Sequence, residues 1–163
     1  MVDHRRTVAQ WIAREWGFDP DVMARIADED ALAYGKALLN CANGDGKITP
    51  QERDWIMGYL TAAGHPDAVL EQLRVYQGTE RIEDLVGRSP ALGASRRHLV
   101  ADAIRACSSD GEFHAAERAA VLQMAERMGV DPAVVEQLEA AQHDEQQARQ
   151  RRFRIACPGG FPY

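Results

Sequence analysis

The chain has 163 residues, a net charge of −6 and 45% apolar residues. That is enough to bury one core without staples, and too apolar for a disordered chain. The acidic balance argues against a nucleic-acid binder and suits a protein that attracts cations or basic partners. Cys41, Cys107 and Cys157 are too few and too widely spaced for a disulfide framework or a zinc site. Arg14 and Glu15 interrupt the apolar stretch behind His4, Arg5 and Arg6, so no signal peptide is read there. No apolar run approaches the ~20 residues of a membrane span, and the cytoplasm is the expected location.

Helix punctuation dominates the chain. A first helix is predicted from about Asp3 to Trp16, with Val8, Trp11 and Ile12 on one face and Gly17 as its stop. Trp11, Trp16 and Trp55 read as core aromatics. Asp19-Pro20 reads as a helix start, and the segment from there to Ala42 as one helix or two with a break near Asp28. Thr49-Pro50 opens a helix that ends at Gly64, and His65-Pro66 opens one that ends near Gly78. A short helix follows from Thr79 to Val86. Ser89-Pro90 starts a helix reaching Cys107, the next runs from Ala115 to Met128, and Asp131-Pro132 caps a last one to about Gln150. With no alternating strand pattern, the class is all-α: a single multi-helix domain of about seven to eight helices. The domain is expected over 1–148, followed by an Arg-rich helix end and irregular tail over 149–163.

The halves repeat at an offset of 65 residues: Asp45-Gly46 matches Asp110-Gly111, Glu52-Arg53 matches Glu117-Arg118, and Gly64 matches Gly129. Ala68-Val69 and Glu71-Gln72-Leu73 recur as Ala133-Val134 and Glu136-Gln137-Leu138, giving 10 identities over the 29 positions from Asp45 to Leu73. The pattern predicts a pseudo-twofold pair of halves sharing one core, with Ile56, Leu60, Val121 and Met128 buried.

The Asp-Gly loops carry the candidate chemistry. Set on the register of a calcium-binding EF-hand loop, Gly46 supplies the sharp turn, Asn43 and Asp45 fall on ligand positions, and Glu52 on that of the bidentate carboxylate. The first position holds Cys41, a soft donor where a hard cation wants oxygen. Asp110 and Glu117 are the second loop's counterparts, and Ala106 leaves its first position empty. Calcium takes about six to eight oxygens, so cation binding at Asn43, Asp45, Glu52, Asp110 and Glu117 is expected to be weak. A plainer reading stands beside it: Thr49-Pro50-Gln51-Glu52 is a capping box and Asp-Gly a turn pair.

The stretch Ser109–Glu117, continuing through Ala125–Val130, together with Tyr34–Ala42 and the first Asp-Gly loop, resembles the two half-motifs of TerB-like (tellurite-resistance) domains. The resemblance covers about Asp30 to Leu138; Gly44 and Ser109 stand where the family usually has alanine. It implies a compact helical, non-enzymatic module linked to tellurite, metal or chemical stress. Such a module binds a divalent cation (Ca or Mg) weakly through its acidic loops and acts with protein partners, some membrane-associated. A degenerate EF-hand-like calcium sensor is the alternative. Related domains precede J-domains, which engage their chaperone through His-Pro-Asp. Here His65-Pro66-Asp67 is preceded by a segment, Trp55–Gly64, without Lys or Arg, and a helix start explains it. Cys107 with His114 lacks a third group and an oxyanion site, so no enzyme is expected.

Overall fold

The structure is a computed structural model and describes residues 4–17, 19, 21 and 25–161. Among them are nine α-helices and no strand: α1 (His4–Glu15), α2 (Asp28–Ala42), α3 (Pro50–Ala62), α4 (Asp67–Val75), α5 (Ile82–Arg88), α6 (Pro90–Ala94), α7 (Arg96–Cys107), α8 (Ala115–Arg127) and α9 (Pro132–Ala156). Helices α2 and α7 form the centre. The first lies against α3, α4, α5, α6, α7 and α8, and the second against α2, α3, α6, α8 and α9.

The sequence of α2 explains its place. Ala31, Ala33, Gly35, Ala37, Leu38, Leu39, Cys41 and Ala42 are all buried, so apolar or small residues wrap most of the cylinder. A helix apolar on nearly all sides has to be surrounded. Small side chains also let its neighbours come close: a Cβ on Gly35 would sit 2.5 Å from Leu73 Cδ1. Ile56, Leu60, Val121 and Met128 are buried in the same core cluster, as the sequence pattern requires.

Local chemistry sets the helix ends. Gly64 and Gly129 close α3 and α8 in the left-handed region, at φ +88° and +66°. In both cases the amide after the glycine reaches back five residues along the chain, His65 N–H to the Leu60 carbonyl (3.2 Å) and Val130 N–H to that of Ala125 (2.8 Å). These are matching Schellman closures.

Several boundaries differ from the sequence expectation. Helix α1 buries Ala9 and Ala13, while Val8 and Trp11 are 42% and 60% exposed. Close approach is the reason: a Cβ on Gly64 would lie 3.2 Å from Ala9 Cβ, so only small residues fit between α1 and the end of α3. Trp16 and Trp55 are half-buried, each stacked on Tyr59. The expected helix start at Pro20 lies outside the described residues. The Asp19 carboxylate accepts the Asp21 amide and the Arg25 guanidinium, and α2 begins only at Asp28. Pro66 is the N-cap of α4 and precedes its first turn. The run from Pro90 to Cys107 breaks at Ser95, whose hydroxyl donates to the Ala91 carbonyl (2.9 Å) and competes with the helix for that acceptor. The last helix continues to Ala156 because its arginines are good helix formers, and Pro158 is the first residue to end it.

Two substitutions test this packing with opposite signs. Gly58 lies in the middle of α3 with nothing near its missing Cβ. Gly58→Ala should raise stability by about 0.5–1 kcal/mol by removing backbone freedom from the unfolded chain. Leu38 is completely buried, and Leu38→Ala should cost about 2–5 kcal/mol in denaturant unfolding.

Candidate functional site between the two Asp-Gly loops

The two loops are built alike. Gly46 and Gly111 take the left-handed turn at φ +89° and +102°, which a side chain would strain. Asp45 Oδ1 accepts the Lys47 amide (2.9 Å), and Asp110 Oδ1 accepts that of Glu112 (3.1 Å). Each loop then hands over to a helix whose third residue is a glutamate folded back on the cap. Glu52 Oε2 accepts the Thr49 amide (2.7 Å) and hydroxyl (2.8 Å), and the Thr49 Oγ1 accepts the Glu52 amide (3.2 Å). Glu117 Oε2 accepts the His114 amide (2.9 Å).

Folding back buries both carboxyls, leaving Glu52 0% and Glu117 1% exposed. They come together with Cys107, the last residue of α7: one donor atom from each lies within 4.8 Å of the others. Glu52 Oε1 is buried and receives no hydrogen bond. Burial, then the Glu52 carboxyl beside it, pushes Glu117 up to about 8, and Asp45 adds to the effect. The loop-1 aspartate is thus felt by the loop-2 helix. Gly44 shows how close the two approach: a Cβ there would fall 2.8 Å from the Ala116 carbonyl oxygen and from Glu117 Cα. The family's usual alanine has no room at this position. Burial also pushes the Cys107 thiol well above its ordinary value.

The candidate ligands therefore divide. Glu52 and Glu117 come from different loops and meet each other; Asp45 and Asp110 turn to their own backbones. Asn43 Nδ2 donates to the Gly78 carbonyl (3.4 Å), away from the carboxyls. Reading each loop as a separate cation loop missed this pairing across loops. It missed Cys107 too, because a buried thiol at a helix end looks like core.

No protein-family model matches the chain, and no curated protein does. Among solved structures, the crystal structure of a tellurite resistance protein from Nostoc punctiforme matches it with a TM-score of 0.85 and 34% identity, covering 100% of both chains. The chain belongs to the TerB-like tellurite-resistance family. Of the His-Pro-Asp tripeptide in this TerB-like chain, His65 is buried beyond the end of α3, Pro66 is the N-cap of α4 and Asp67 begins that helix. Among the described residues no helix is long and apolar enough to cross a membrane.

The buried pair gives the TerB-like domain a pH dependence of definite sign. In the fold Glu117 favours its protonated form. That stabilisation is complete below the unfolded carboxyl value of 4.5 and is lost as pH rises through about 8. Thermal melts should fall across this window with a slope of at most about 1.4 kcal/mol per pH unit. Glu117→Gln keeps a carbonyl for the cap and should flatten the profile. An unchanged slope in that variant would place the titration elsewhere.

Proposed function

We propose that this chain is a non-catalytic binding module of the tellurite, metal and chemical stress response. In this reading a divalent cation exchanges for the proton held between Glu52 and Glu117. The observation that carries it is a sealed carboxyl pair with one oxygen lacking any donor and a thiol in reach. Two carboxyls that must share a proton to coexist have a ready use for a cation, which would neutralise both at once. Glu52, Glu117 and Cys107 would hold it, supplying charge neutralisation that locks α3, α8 and α7 together.

The donor set supports a weak site for calcium or magnesium, which want oxygen throughout, and a better one for a borderline ion such as zinc. Two features support the non-catalytic reading. The carboxyls are closed to solvent and so to substrate, and the Cys107 thiol is held protonated, which removes its nucleophilicity. The module then works by binding protein partners, membrane-associated ones among them, as its family resemblance implies.

Calorimetry with Ca²⁺, Mg²⁺ and Zn²⁺ on the wild type, Glu117→Gln and Cys107→Ser tests this. Calcium and magnesium should bind no tighter than about 10⁻⁴ to 10⁻³ M. Binding should release protons near neutral pH and weaken at least about tenfold in Glu117→Gln. Cys107→Ser should weaken zinc alone. Equal heats in wild type and Glu117→Gln would sink the proposal, and a conformational change at micromolar calcium would favour a calcium sensor instead.

A further inference from the structure

A second site lies away from the acidic pair, on the side of the bundle where α2, α3, α6 and α7 meet. A cavity of about 330 Å³ opens there, within the range of small-molecule sites. Its walls are almost wholly apolar: Ala31, Leu60, Ala63 and Leu92 face it, with the rings of Tyr34 and Tyr59 at one end. Those hydroxyls are already engaged, Tyr34 O–H with Asp102 Oδ2 (2.9 Å) and Tyr59 with His98 Nε2 (3.3 Å). They present ring surface and little spare hydrogen-bonding capacity.

Of the other polar residues on the wall, Asp30 is bonded to Ser89, Ser95 to Ala91 and His98 to Tyr59, and His65 differs from them. It lines the same cavity and is 8% exposed, yet its ring makes no hydrogen bond to any described residue. Burial lowers its proton affinity, with a smaller opposing effect from Asp28, so the ring is a neutral imidazole with one donor and one acceptor to offer. Its ring nitrogens are not sealed off from solvent, so they remain available to a molecule that enters the cavity. A neutral imidazole facing an apolar cavity is the arrangement of a pocket that holds an apolar body and one polar head. Charge narrows the class. Asp30 also lines the cavity and the chain is net acidic, which disfavours an anionic head. Aromatic walls favour a flat ring over an alkyl chain.

We propose that this cavity binds a small neutral aromatic molecule whose single polar group hydrogen-bonds to His65. The site is independent of the cation reading and either can fail alone.

The probes are 2-naphthol, naphthalene, which is the same body without the head, and octanoate as an anionic alkyl control. Titration of the full chain should give saturable one-site binding of 2-naphthol. Naphthalene should bind about tenfold more weakly, the worth of one hydrogen bond, and octanoate not measurably. His65→Phe should erase the difference between the two aromatics. Ala63→Leu fills the cavity and should abolish both while the melting temperature holds. Should Ala63→Leu fail to fold, nuclear Overhauser contacts between 2-naphthol and the methyl groups of Leu60 and Leu92 in the wild type locate the probe. Absence of binding, equal affinity for both aromatics in the wild type, or contacts elsewhere on the chain would overturn the proposal.

Discussion

Two helix N-termini that point towards one another repel, because each carries partial positive charge and unsatisfied amides. In this chain the first turns of α3 and α8 come within reach of one another through Glu52 and Glu117, whose carboxyls meet beside Cys107. Each carboxyl accepts the cap amide of its own helix and brings negative charge to the junction. The two then face a problem of their own, since two bare carboxylates cannot be buried side by side. The shift of Glu117 to about 8 is the answer available to the chain by itself: one proton held over a pair of acids. Other local choices follow from keeping the junction closed. Gly44 has no side chain because the start of α8 is in the way, and Cys107 is small enough to end α7 against the pair.

The core that surrounds this junction is built from small residues, with a consequence some distance away. Alanine and glycine on α2 allow six helices to approach it closely. Close packing depends on large side chains filling the gaps that small ones leave. Along most of α2 they do: Leu60 and Leu73 reach towards Gly35. Towards α6 many of the side chains are short: Ala31, Ala63, Ala91 and Ala94 all line the cavity. These small side chains leave space between the larger Leu60, Leu92, Tyr34 and Tyr59, so the cavity follows from the same composition that lets the centre pack tightly.

The fold was legible because its signals are local. Thr49 with Glu52, Ser89-Pro90 and Asp131-Pro132 each cap a helix through contacts within a few residues, and such contacts are written in order along the chain. Where the sequence reading slipped, a non-local contact decided. Trp11 should be buried by its apolarity, but Gly64 admits only alanine beside it. The site shows the same limit. Spacing named Glu52 and Glu117 among five candidate ligands, with Asn43, Asp45 and Asp110, and placed each in its own loop. That the two glutamates meet beside Cys107 depends on how the starts of α3 and α8 are placed around the end of α7, and periodicity along one helix carries no such information.

Burial of acid is handled in two ways within this one core, and the contrast bears on which acid can take a cation. Asp102, also fully buried, has the Tyr34 hydroxyl at 2.9 Å and His98 Nε2 at 3.3 Å on Oδ2, and its Oδ1, which like Glu52 Oε1 accepts no hydrogen bond, faces the Arg105 guanidinium at 3.7 Å. Arg105 is itself held over the Trp16 and Trp55 rings, so its charge is fixed in place. A cation approaching Asp102 would meet positive charge already present and would have to displace it. Glu52 and Glu117 have no basic side chain among their hydrogen-bond or ion-pair partners; their donors are backbone amides and one hydroxyl. Amides orient a carboxylate but cannot neutralise it. The proton held by Glu117 supplies that neutralisation, and it is this proton that the proposed cation would replace.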